Sequence, residues 1–335
     1  MRCRKSNGQV EGIPMVLDRR ALLLAGLALP TLARAQAPWK PERPVRLILP
    51  FTPGTSMDPV ARLAQESLKD SLGQSVVVEN IAGAATVIAG AETLKSPPDG
   101  HTMLMIANSF AANITLRTRT ADWQRAFVPV VQATVVPHVL VAAPSLKTDW
   151  AGLLKRLREG GGSMTYGSPG IGTSPHLGAE HFLRLVGGKA VHAPYNGTAQ
   201  LFVDLYAGRI DFALSNLPDV VQPIEEGKLV ALAVTADQRV RELPKVPTFA
   251  ELGLPDLLSD SWFGIMVRRD TPAPAREALE RAWLTALARP DVRERLQALS
   301  FTVLARPGAE FEKMIERYVA TYATIIRENG ITVQQ

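Results

Sequence analysis

The sequence predicts an α/β fold of two lobes, each a mostly parallel sheet flanked by helices, joined by two crossing strands. Three observations carry this reading. Short runs rich in branched apolar residues alternate with helical stretches from Val45 onward, the signature of strand–helix–strand units. The pattern restarts after Val139. The last helical stretch carries a single apolar stripe, which needs a sheet to cover. Composition agrees. The chain has 335 residues, of which 46% are hydrophobic, 6% aromatic and 21% charged, too apolar for a disordered chain. Gly and Pro number 25 each, which excludes collagen-like and low-complexity classes.

In the first block, residues 45–51 (VRLILPF) read as a buried strand and residues 59–72 as a helix stopped by Gly73. Residues 76–79 follow as a strand and 82–94 as a helix of small residues. Pro97-Pro98-Asp99-Gly100 is a turn, and residues 102–107 (TMLMIA) are a third strand. The second block has strands at 139–143, 164–166, 191–192, 211–214 and 229–235. Helices at 150–158, 175–185 and 199–206 alternate with them, broken by glycines at 160–162 and 187–188. Residues 262–267 are then a strand and 274–288 a helix.

The last helix, 310–328, places Phe311, Met314, Ile315, Tyr318, Val319, Tyr322, Ile325 and Ile326 on one face, and Asn329-Gly330 ends it. The first sheet is the one it can cover. The chain is therefore expected to cross near Val139 and return near Trp262. Residues 36–138 and 262–335 make one lobe and 139–261 the other. Two crossing strands form a hinge, and a hinge between two α/β lobes makes a closable cleft.

Residues 1–35 read as an export signal. Arg19-Arg20 precede an apolar run, residues 21–32, and Ala33-Arg34-Ala35 is a small-x-small cleavage site. A buried N-terminal helix is the competing reading; charge, run and cleavage site in that order favour export. The run is short of the ~20 residues that span a bilayer. Arg19-Arg20 leaves both the general and the twin-arginine route open, and Met15 is an alternative start.

Removing residues 1–35 takes away six basic residues (Arg2, Arg4, Lys5, Arg19, Arg20, Arg34) and two acidic ones (Glu11, Asp18). That leaves 31 basic against 30 acidic residues, a net charge of +1. The mature chain then has no basic excess for nucleic acid. The one cysteine, Cys3, leaves with the signal, which suits an oxidising compartment. A periplasmic monomer is the expectation.

Two loops carry the chemical signal. The first runs from Phe51 through Thr52, Gly54, Thr55 and Ser56 to Asp58 and Pro59. The second runs from Gly167 through Ser168, Gly170, Gly172, Thr173 and Ser174 to Pro175 and His176. Asp58 and Ser174 suit helix N-caps, each followed by a proline at the first helical position. Both loops end at helix N-termini, where unpaired N–H groups and the helix dipole favour an anion. Neither contains Arg or Lys, so backbone amides and hydroxyls would hold the anion, directly or through water. Gly170-Ile171-Gly172 is short of a dinucleotide fingerprint. No cofactor and no metal site is expected.

The sequence resembles the Bug-type receptors, the extracytoplasmic solute-binding proteins of tripartite tricarboxylate transporters. The resemblance covers nearly all of residues 38–333. It rests on PVRLILPFTPGTSMD (44–58), QSVVVEN (74–80), PPDGHTML (97–104), YGSPGIGTSPHL (166–177), PYNGTA (194–199), GKLVALAVT (227–235), VPTFAELGL (246–254) and SWFG (261–264). It implies a two-lobed, type II-like periplasmic binding protein that closes on a small carboxylate and delivers it to integral-membrane transporter subunits. Carried over by position, the binding loops are residues 52–58 and 168–176, with Pro194, Tyr195 and Gly197 near the cleft. Asn108, Ser109, Ser215 and Asn216 are the candidate ligand contacts that vary among members. The sequence departs from the family pattern at Thr55, where most relatives have glycine, and a Cβ there penalises positive φ. It departs again at Gly83-Ala84-Ala85-Thr86, which is poorer in glycine. Leu214-Ser215-Asn216 stands where many relatives have an acidic residue before the Asn.

A receptor that feeds a membrane sensor fits the same residues. An exported hydrolase fits poorly. Ser174 and His176, two apart at a helix start, face different ways. His181 lies five after His176, off the spacing for a shared metal. His101, His138 and His192 are scattered.

Overall fold

Alternation along the strands sets the layers. In β1 (Val45–Leu49), Val45, Leu47 and Leu49 enter one core and Ile48 the opposite one, as the two-residue period of a strand requires. The computed structural model describes residues 39–333 apart from 161 and 258. The expected export segment and Cys3 lie outside the described residues.

From β1 the chain runs through α1 (Met57–Leu72), β2 (Val76–Asn80), α2 (Val87–Lys95), β3 (Thr102–Ala107), α3 (Ser109–Leu116) and the one-turn α4 (Trp123–Ala126) into the long β4 (Phe127–Ala142). There follow α5 (Trp150–Glu159), β5 (Thr165–Ser168), α6 (Ser174–Val186), β6 (Val191–Pro194), α7 (Thr198–Tyr206), β7 (Phe212–Asn216), α8 (Leu217–Glu225) and β8 (Val230–Val234). The chain ends with β9 (Asp260–Arg268), α9 (Ala273–Ala288), α10 (Pro290–Ala298), β10 (Thr302–Pro307) and α11 (Gly308–Glu328).

Strands β2, β1 and β3 are parallel neighbours, and β9 joins β3 antiparallel. Strand β4 pairs antiparallel with β9 and β10. From His138 onward its partners are β7 and β8, also antiparallel. Strand β5 lies parallel between β6 and β7. The sheet is thus parallel where strand–helix–strand units build it and antiparallel where β4 and β9 run through it.

Strand β4 begins at Phe127, well before the strand expected at residue 139. Pro129 and Pro137 hide its first part in the sequence, because proline gives no ladder N–H. Its pairing with β9 shifts register beside Pro129. Helix α2 starts at Val87 rather than residue 82, because Ala84, Ala85 and Thr86 hold positive φ values of 47°, 46° and 85° that a right-handed helix excludes.

Each group of strands has a core on both faces. One face of β1–β3 packs on α1, α9 and α10 through Leu68, Trp283 and Leu296. The other packs on α3 and α11 through Phe110, Phe311 and Ile315. Around β5 and β7, Tyr166, Phe182 and Phe212 fill one side and Leu201, Leu217 and Val220 the other. The stripe on α11 buries Phe311, Met314, Ile315, Tyr322, Ile325 and Ile326 against the first strand group, as its spacing predicts.

Candidate functional site

The carboxyl ends of β1, β3, β5, β6 and β7 converge on one cavity, the position where ligands sit in open α/β sheets. The β1–α1 loop contributes Phe51, Thr55, Ser56 and Met57; the start of α3 contributes Ser109. The β5–α6 loop contributes Pro169, Thr173, Ser174 and Pro175. Gly197 and Thr198 come from the start of α7, Asn216 and Asp219 from the β7–α8 junction, and Ser261 and Phe263 from β9. The cavity encloses about 50 Å³, room for a few waters or one carboxylate-sized group.

Two helix N-termini face this space. Neither α1 nor α6 receives a side-chain cap, so first-turn amides other than that of Asp58, which is given to the Thr55 carbonyl, and those that Pro59 and Pro175 lack, keep donors to offer. The two cap expectations are corrected here. Helix α1 begins at Met57, and Asp58 turns back to accept from the Gly54 amide and from Asn80. Helix α6 begins at Ser174, whose hydroxyl bonds Ser261 at 2.7 Å instead of its own helix. Thr55 is not among the residues at positive φ, so the penalty expected for its Cβ does not arise. The strain sits at 84–86, where Asn113 bonds Ala85 and Thr86.

Hydrogen bonds cross the cavity. The Ser56 hydroxyl donates to Asp219 Oδ1 at 2.6 Å. Asn216 Nδ2 donates to Ser56 Oγ at 2.9 Å and to Asp219 Oδ2 at 3.4 Å. Ser261, at 2.9 Å from His138 Nε2, links Ser174 to the residue at which β4 changes partners. Among the described residues, four buried oxygens around the site lack a hydrogen bond of ordinary geometry: Thr55 Oγ1, Ser109 Oγ, Ser215 Oγ and Asn216 Oδ1. Among the described residues, Asp219 is the one charged residue lining the cavity. Burial pushes its carboxyl up to about 6, against the hydrogen bonds from Ser56 and Asn216.

Of the residues singled out from sequence, Thr55, Ser56, Ser109, Thr173, Ser174, Gly197 and Asn216 line this cavity. Thr52, Gly170, Pro194 and Tyr195 line a second, of about 460 Å³, with Ala85 and Arg117. Phe51 and Pro169 border both. The remaining residues stand behind the loops. Gly54 makes the turn at φ 84°. Ser168 is fully buried and bonds His192 Nε2 at 2.7 Å. Gly172 donates to His176 Nδ1 at 3.3 Å, which puts the His176 proton on Nε2. The His176 and His192 rings lie 4.1 Å apart. Burial pushes His176 down to about 3 and His192 to about 4, so both are neutral supports. Asn108 is committed to Tyr322 and to the Trp262 amide, both at 2.8 Å.

Sequence reasoning missed Asp219 and Ser261. Leu217-Pro218-Asp219 looks like any helix start, with Pro early and an acid in the first turn. The direction of Ser261 depends on the register of β9, which no local pattern reveals.

Comparison with known proteins places the chain in a family. Residues 60–331 match the tripartite tricarboxylate transporter family receptor. The chain is 34% identical to protein BugT of Bordetella pertussis over 310 residues, covering 91% of this chain and 94% of BugT. The structure of the periplasmic binding protein BugD superposes with a TM-score of 0.81 at 28% identity, covering 88% of this chain and all of BugD. Rpa4515 of R. palustris, solved with adipate, superposes with a TM-score of 0.82 at 30% identity, covering 87% of this chain and 99% of its own.

Proposed function

This chain belongs to the tripartite tricarboxylate transporter receptor family, and from that premise we propose that it captures a small carboxylate in the cavity described above and hands it to membrane transporter subunits. It is a solute-binding receptor and not an enzyme. The observation that carries the ligand class is the convergence of two uncapped helix N-termini on one cavity that also holds the unpartnered Thr55 and Ser109 hydroxyls. Amides and hydroxyls aimed at one point suit a carboxylate. The adipate held by Rpa4515 supports the same class.

The lobes of this reading are residues 36–138 with 262–335, and 139–261. They meet where β4 exchanges β9 and β10 for β7 and β8. Ligand contacts made by both would favour the closed form by their differential affinity for it. Export to the periplasm, with cleavage near Ala35, completes the reading.

Thermal unfolding of residues 36–335 tests it, after unfolding and refolding to strip ligand carried from the host. A carboxylate at a hundred times its Kd adds about 2.7 kcal/mol, several degrees of Tm for a chain of this size. A panel in which neutral solutes shift Tm and carboxylates do not would overturn it.

A further inference from the structure

We propose that Asp219 makes the cavity selective for carboxylates that also carry an ammonium group, seated between the Asp219 carboxylate and the Asn216 side-chain oxygen. The inference rests on the carboxylate reading and deepens it.

The cavity carries both kinds of hydrogen-bonding group. The donors are the N-termini of α1 and α6 and the Ser109 hydroxyl. Ser109 is 1% exposed and its oxygen has no partner. The acceptors adjoin the start of α1 through Ser56. The Asn216 amide nitrogen is committed to Ser56 and Asp219, and its Oδ1, beside His138 across the β4–β7 pair, is buried without a hydrogen bond of ordinary geometry. That oxygen can only accept. Asp219 gives Oδ1 to Ser56 and keeps Oδ2 for the long 3.4 Å contact with Asn216. Two acceptor oxygens, one of them charged, therefore call for a donor from the ligand. An ammonium offers three donors and cancels the charge, whereas a second carboxylate would meet a like charge.

An acid in the first turn of a helix needs no ligand to explain it, since the dipole favours it there. A carboxylate serving only the dipole gains nothing by lining a cavity. This one does so and takes a hydroxyl from the β1–α1 loop, 163 residues away.

Titration calorimetry at pH 7.5 with two matched pairs, propionate against alanine and succinate against aspartate, provides the test. The amino member of a pair is expected to bind at least about tenfold more tightly. In Asp219→Asn that preference should fall to within about threefold. Des-amino acids bound as tightly as their partners in the wild-type protein, or a preference unchanged in Asp219→Asn, would overturn the proposal and leave carboxylate capture standing. Binding of no carboxylate at all would overturn both. The wild-type comparison decides even where the variant fails to fold.

Discussion

The Ser56 hydroxyl and the Asp219 carboxylate meet at 2.6 Å, joining the first loop of the chain to the start of α8. Asn216 donates to the same hydroxyl at 2.9 Å, so Ser56 both gives and receives. The three residues form one unit whose members come from the β1–α1 loop and the β7–α8 junction. Removing any one of them leaves the other two short of a partner.

Ser56→Ala removes the short hydrogen bond that holds the Asp219 carboxyl down. Burial then acts with less opposition, and the carboxyl is expected to titrate above its present value of about 6. A lost bond to a charged acceptor is worth about 1.5–3 kcal/mol, so ligand affinity should also fall, by about tenfold or more. Carbon-detected NMR titration of Asp219 in both proteins checks this. Identical titration curves would mean that the bond does not form in solution.

Acid should destabilise the protein before its carboxylates do. Burial holds His138 and His176 down at about 3, far below their ordinary 6.5. Their contribution is fully present above pH 6.5 and is lost as pH falls toward 3, because the unfolded chain takes up protons that the folded one refuses. Each adds a slope of up to about 1.4 kcal/mol per pH unit. Asp219 runs the other way: its carboxyl is raised, so its contribution is present below pH 3.8 and lost as pH rises through about 6. Three histidines, His192 among them at about 4, against the raised Asp219 and Asp260 leave a net loss on acidification below pH 6.5. Melts from pH 7.5 to 4.5 should show Tm falling throughout. His138→Asn, which keeps an amide beside Ser259 and Ser261, should flatten the slope. A Tm independent of pH in this range would refute the burial argument.

Much of this was legible from the residues. VRLILPF and TMLMIA are unambiguous strands because their branched residues serve two cores, and the α11 stripe declares its face. The uncapped N-termini were half legible. Gly54 with Thr55 and Gly170 with Gly172 marked the loops, but reading Asp58 and Ser174 as caps supposed that each side chain serves its nearest helix. Both serve other partners, Asp58 the Gly54 amide and Ser174 the Ser261 hydroxyl. Such exchanges are decided by tertiary register. The same holds for Asp219, whose meaning comes from a serine 163 positions away.

Gly170 sits at φ 143°, a region that side chains disfavour. Its N–H donates to Ser168, and its carbonyl accepts from the Thr173 hydroxyl at 2.7 Å. Gly170→Val would force the backbone out of that conformation and move Thr173, which lines the cavity. Carboxylate affinity is expected to fall at least about tenfold, with a stability loss of about 1–3 kcal/mol. Calorimetry and denaturant unfolding measure the two effects separately. Wild-type affinity in a variant that has lost stability would show that this loop does not shape the site.

Gly264 in β9 is where the first sheet makes room for α11. A Cβ there would lie 2.2 Å from Phe311 Cε1 and 2.8 Å from the Val131 carbonyl oxygen. The ring cannot retreat easily, because it also meets Trp262 edge-on with centroids 5.3 Å apart. The carbonyl is fixed in β4. Gly264→Ala is therefore an overpacking change, expected to cost about 1–3 kcal/mol. Phe311→Leu removes the ring atoms that the new methyl would strike. The double variant should then be more stable than the two single losses predict, with a coupling of about 0.5–3 kcal/mol. Urea unfolding of the four proteins measures that coupling. Losses that simply add would place Phe311 away from Gly264 and unseat the packing of α11 described above.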